Sequence, residues 1–140
     1  MAIGERTPLS LISSKSAAKI SVAEVITNII PSGIAKLSDI KLSANWMGSP
    51  GKLDGNKDLF EAVEAIGMDL CPKWNITIPV GKDSLSMSTE WSEGKNDKSV
   101  ISPLSLIASG FAAVKDIRIA ATPQLKADED TSLIFIDLAK

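Results

Sequence analysis

The stretch 39-DIKLSANW-46 alternates with a period of two: Ile40, Leu42, Ala44 and Trp46 fall on one side, Lys41, Ser43 and Asn45 on the other. That pattern predicts a half-buried strand, with one face against a core. Upstream, 21-SVAEVITNII-30 puts Val22, Val25, Ile26 and Ile29 at helical spacing, and 31-PSG-33 predicts where the helix stops. Ser21 and Glu24 have the spacing of a capping box, which predicts the helix start. Downstream, the glycine-rich 47-MGSPGKLDGNK-57 reads as a loop. The segment 58-DLFEAVEAIGMDL-70 reads as a second helix with Leu59, Val63, Ile66 and Leu70 on its core face.

The remaining segments fill out a sheet. Extended pieces are expected at 76-ITIPV-80 and 84-SLSMSTEW-91, separated by a Gly81-Lys82-Asp83 corner, and another strand at 103-PLSLIASGFAAV-114. Between them 92-SEGKNDKS-99 reads as a polar loop. Residues 1–20, with an apolar patch at 9-LSLI-12, suggest a loop or short extended piece leading into a helix. At the other end a linker, 122-TPQLKADEDT-131, precedes a last apolar strand, 132-SLIFIDL-138. Two helices against one face of a mixed sheet make an α+β layer fold.

Composition narrows the function classes. The 140 residues are 44% hydrophobic and 23% charged, which predicts one compact soluble domain. The net charge is -2 with the signs interspersed, so no electrostatic footprint for nucleic acid or an acidic membrane is present. The chain has no histidine, which removes Ser-His and Cys-His nucleophile pairs, imidazole bases and most zinc sites. The single cysteine, Cys71, excludes an internal disulfide and fits a reducing compartment. Its place just before Pro72 reads as a small buried side chain rather than a nucleophile. The longest apolar run, 106-LIASGFAAV-114, is too short to span a bilayer, and a cytoplasmic location is expected.

Two groups of residues carry chemistry. The first lies in 77-TIPVGKDSLSMST-89, where Gly81, Lys82 and Ser84 resemble half of a phosphate-binding loop. A Walker loop needs glycine five positions before the Gly-Lys pair and Ser or Thr directly after the lysine. Here those positions hold Ile76 and Asp83, so the standard P-loop is rejected. What stands is a glycine corner with a cation and a hydroxyl, which suits either an anion or plain solvent. The second group is Glu24 and Asn28, one helical turn apart and opposite the apolar face. Two oxygen-bearing side chains so spaced can share Mg²⁺ with phosphate oxygens. Equally, Glu24 can close the capping box while Asn28 faces water.

The segments 4-GERTPLSLI-12, 23-AEVITNI-29, 40-IKLSANWM-47, 70-LCP-72, 78-IPVGKDSLSM-87, 102-SPLSLIASGFA-112 and 122-TPQL-125 occur in one order. Together they resemble the large phosphoribosylformylglycinamidine synthases (formylglycinamide ribonucleotide amidotransferases) of purine biosynthesis, over nearly the whole chain. Those enzymes carry two halves, each similar to aminoimidazole ribonucleotide synthetase, and a glutaminase domain. The resemblance is to the N-terminal lobe of the second half, which implies residues 1–125 as that lobe. Residues 126–140 would then be a linker and the first strand of the adjoining lobe, and the chain an excised piece of a longer one.

What the resemblance implies about function is specific. The full enzyme converts formylglycinamide ribonucleotide to the amidine with ATP, Mg²⁺ and glutamine. Carried over by position, Glu24 and Asn28 coordinate Mg²⁺ at a bound ATP or ADP. Gly81, Lys82 and Ser84 align with a corner that contacts nucleotide in shorter relatives, where asparagine, not lysine, is the metal ligand. Lys82 is therefore not expected on a metal, and the three residues remain candidate phosphate contacts. No catalytic residue falls in this chain, Cys71 included, since the glutaminase cysteine belongs to another domain. The implied partners are the first synthetase-like half and the glutaminase domain, and an isolated lobe is expected to self-associate through its sheet. The alternative function is a non-catalytic module that completes a pseudo-dimeric core.

Overall fold

A computed structural model describes residues 1–125, 127 and 131–137. Its first helix, α1 (Ser14–Ile29), is the centre of the core, with Val22, Val25, Ile26 and Ile29 buried as their spacing predicts. The capping-box expectation is corrected. The helix starts seven residues earlier than Ser21, where the Ser13 side chain accepts a hydrogen bond from the Ser16 N–H. Ser21 is buried in mid-helix and donates to the Ala17 carbonyl at 2.9 Å. The extra turns bury Ala17, Ala18 and Ser21. Such small residues carry little hydropathy, so the apolar period begins later than the helix.

The sheet has the order β1 (Ala2–Gly4), β6 (Ser105–Phe111), β2 (Lys41–Met47), β3 (Thr77–Ser84). β6 runs antiparallel to both β1 and β2, whereas β2 and β3 are parallel, so the sheet is mixed. The chain between β2 and β3 crosses over through α2 (Gly55–Glu64) and the short α3 (Cys71–Trp74), a βαβ unit. Alternation holds as read: Ile40, Leu42 and Ala44 are buried, joined by Leu104, Leu106 and Ala108 and covered by α1. The α+β class, with helices against one face of a mixed sheet, is therefore observed.

The second helix differs in one residue. Between α2 and α3 the backbone widens into a π turn, Ala65–Leu70. The buried set is Ala62, Ala65, Ile66 and Leu70, while Val63 remains 43% exposed and not on the core face. α2 packs against α1, and Ala62 is its fully buried residue. We expect Ile66→Ala to cost about 2–5 kcal/mol and Val63→Ala no more than about 0.5 kcal/mol. Equal losses in urea unfolding would contradict this register.

Three further expectations are corrected. Gly81-Lys82-Asp83 is not a corner but the continuous interior of β3, pairing with Ala44, Asn45 and Trp46 of β2. The predicted polar loop at 92–99 is instead a hairpin of β4 (Ser88–Glu93) and β5 (Asn96–Ile101). Its turn is at Gly94, whose φ of 64° suits glycine. Both hairpin faces are largely exposed, so there was no apolar alternation to read. Finally, residues 132–137 form no strand among the described residues, and Leu133 to Ile136 are exposed. A strand is defined by the ladder of hydrogen bonds to a neighbouring strand. Leu138 lies outside the described residues.

No helix among the described residues is long and apolar enough to cross a membrane.

Candidate functional site

Glu24 and Asn28 project from the side of α1 away from the helix stripe that meets the sheet. They line an open groove of about 310 Å³ with Arg6, Ile20, Ala23 and Thr27. The groove exists because β1 runs alongside α1 and its exit crosses the helix at this turn. Gly4 makes that crossing possible: a Cβ there would lie 2.0 Å from the Ser21 carbonyl oxygen and 2.8 Å from the Val25 nitrogen.

The exit of β1 holds both candidate ligands. The Glu5 N–H donates to Glu24 Oε2 at 2.8 Å, and Arg6 Nη2 lies 2.9 Å from Glu24 Oε1. Asn28 Nδ2 donates to the Ile3 carbonyl at 3.1 Å. Beside them, hydrogen bonds from Thr7 hold the Glu5 carboxyl below its ordinary value. Glu24 therefore anchors the strand exit rather than closing a capping box.

The donor chemistry fits a hard cation: one carboxylate and one amide oxygen, a helical turn apart. No group of three or more Asp, Glu, Cys or His side chains converges among the described residues. A metal held at α1 would complete its shell with phosphate oxygens and water, the usual habit of Mg²⁺.

Gly81, Lys82 and Ser84 lie elsewhere. β1 and β3 are opposite edges of the sheet, three strand spacings or roughly 14 Å apart. The structure thus does not bring the two candidate groups together. Lys82 and Ser84 share one face of β3, where Lys82 Nζ donates to Ser84 Oγ at 2.7 Å. Gly81 sits where β2 approaches closely, since a Cβ would meet the Ala44 carbonyl oxygen at 2.8 Å. Its glycine is accounted for by strand packing. Another recess, of about 410 Å³, lies between the start of α1 and the 48–55 loop. Lys52 and Lys57 are offset there by Asp54, Asp58 and Glu61, so the recess has no charge bias toward an anion.

Cys71 is buried, and burial pushes its thiol above the ordinary range. That environment suits a packing residue. The residues missed by reading the sequence are Ile3, Glu5 and Arg6. Their contacts to α1 are non-local, and hydrophobic period carries no signal for them. Their one trace is that Glu5 and Arg6 stand within 4-GERTPLSLI-12.

With this geometry in hand, comparison with known families gives a match. A family model described as the FGAR-AT PurM_N-like domain matches residues 1–113. The matched region contains the six strands and three α-helices found among the described residues.

Proposed function

The chain belongs to the FGAR-AT PurM_N-like domain family, and from that premise we propose that it is a nucleotide-side lobe of a purine-biosynthetic ligase. The reaction is conversion of formylglycinamide ribonucleotide to its amidine with ATP and glutamine. In this reading Glu24 and Asn28 hold Mg²⁺ at a bound ATP or ADP. Gly81, Lys82 and Ser84 are secondary candidates for phosphate contact. Residues 126–140 lead into an adjoining lobe, and a first synthetase-like half and a glutaminase domain supply the remaining chemistry.

The observation that carries this reading is the paired presentation of Glu24 and Asn28 over one groove, Glu24 accepting from the Glu5 N–H and Asn28 donating to the Ile3 carbonyl. Outer hydrogen bonds that fix ligand orientation are what metal sites require. Bound there, Mg²⁺ would neutralise phosphate charge and hold it in one orientation. The protein's own part is to keep a carboxylate and an amide oxygen fixed on a rigid helix. Asn28→Ala in the full-length ligase is expected to lose metal-dependent retention of ADP on gel filtration. Retention and turnover at the parent level would refute the assignment.

A second reading, a module that completes a pseudo-dimeric core, is favoured by the open side of the sheet. Registered positions place Ile3, Ser43, Ser109 and Val80 in one row there, with Ile107 and Phe111 in neighbouring rows. Val80 is 61% and Phe111 46% exposed. A sheet with one uncovered, partly apolar face is a docking surface. Sedimentation is expected to show a concentration-dependent dimer that Phe111→Glu converts to monomer. A clean monomer of the unmodified chain at high concentration would count against this role.

A further inference from the structure

We propose that Arg6 is a built-in placeholder for the cation at Glu24, so that its guanidinium and a divalent ion occupy the carboxylate by turns. The proposal rests on Glu24 and Asn28 being cation ligands. Three residues of one short segment, Ile3, Glu5 and Arg6, engage them, and they do so in two different ways.

The main chain orients. Asn28 spends its amide nitrogen on the Ile3 carbonyl, which leaves Oδ1 as the end available to a cation. Glu24 spends Oε2 on the Glu5 N–H, which leaves Oε1 as the oxygen for a positive charge. These two bonds are compatible with metal binding, because neither brings a charge to the site.

The Arg6 side chain occupies. Its Nη2 sits 2.9 Å from that same Oε1, and a guanidinium is always charged. A divalent ion on Oε1 would face it directly, and like charges at that range repel. Arg6 is also the more exposed member of the pair, with 53% of its side chain exposed against 23% for Glu24. Besides Glu24, its guanidinium donates among the described residues only to the exposed Glu5 carbonyl, at 3.1 Å. It reaches Glu24 from a segment outside α1, so it can swing into water while the carboxylate remains on the helix. The consequence is a site whose negative charge is never left bare, at the expense of part of its affinity for metal. Exposed ion pairs are weak, so the competition is worth about two- to fivefold in metal affinity.

The test uses Mn²⁺ alone as the probe, titrated into the chain and followed by loss of the free-ion EPR signal. Unmodified chain is compared with Arg6→Ala, Arg6→Gln and Glu24→Gln, each first shown to be folded by circular dichroism. We expect both Arg6 variants to bind Mn²⁺ about two- to fivefold more tightly and Glu24→Gln to lose the site. If Glu24→Gln loses the site while both Arg6 variants bind as the parent or more weakly, the placeholder role is overturned and the ligand assignment stands. If Glu24→Gln binds like the parent, the ligand assignment fails and the placeholder role with it.

Discussion

Gly4→Ala is expected to destabilise the fold by about 3 kcal/mol, the upper end of the range for overpacking, and to disturb the groove at Glu24 in the same step. The alanine Cβ would sit 2.0 Å from the Ser21 carbonyl oxygen and 2.8 Å from the Val25 nitrogen, both main-chain atoms of α1. No side chain can rotate away to relieve such a contact, so β1 and α1 must separate. β1 is an edge strand, held to the sheet only through β6, and it yields more readily than the buried helix. Its displacement carries Ile3 and Glu5 off Asn28 and Glu24. For a domain of this size the loss corresponds to a fall in Tm on the order of 10 °C. Gly67→Ala is the control, since a Cβ there meets nothing within 4 Å. If the two variants unfold alike, the close approach of β1 to α1 is not real.

The second large effect is on binding. Glu24→Gln is expected to weaken Mn²⁺ binding by about 100-fold or more, judged from the 10–100-fold cost of losing even an outer-shell partner. Glutamine keeps an oxygen to accept the Glu5 N–H, so the strand exit has its hydrogen bond and only the charge is gone. Stability should move little, by about 1 kcal/mol, because the Arg6–Glu24 pair is only partly buried and the Glu5 N–H keeps an acceptor. Loss of binding with the melting curve preserved separates a ligand from a structural anchor.

Much of this fold was legible because its core follows simple periods. Ile40, Leu42 and Ala44 gave β2 its inner face, and Val22, Val25, Ile26 and Ile29 gave α1 its stripe. The errors share a cause: local pattern says nothing about partners far away in the chain. Ser21 looked like a cap because the buried turn before it is built of alanine and serine. Val63 looked like core because the helical period puts it there, but the residues buried on this segment are Ala62 and, in the π turn that begins at Ala65, Ala65, Ile66 and Leu70. Gly81 read as a corner because glycine usually marks one, whereas here it admits a parallel neighbour.

The candidate site was half legible. Residue type and spacing made Glu24 and Asn28 candidates beside the capping and solvent readings, and the family resemblance is what pointed to them as ligands. The role of residues 3–6 as their support emerges only from the packing of β1 against α1. Gly81, Lys82 and Ser84 stand on the other edge of the sheet from the β1 segment that supports Glu24 and Asn28.

The most direct measurement is a crystal structure of the full-length protein grown with Mn²⁺ and ADP, read by the anomalous signal of the metal. The account predicts a manganese peak within about 2.1–2.3 Å of Glu24 Oε1 and Asn28 Oδ1, the range of hard-cation oxygen bonds. The ADP phosphates should complete its shell, with Arg6 turned away from the carboxylate. Manganese and nucleotide bound elsewhere, with Arg6 still paired to Glu24, would contradict it.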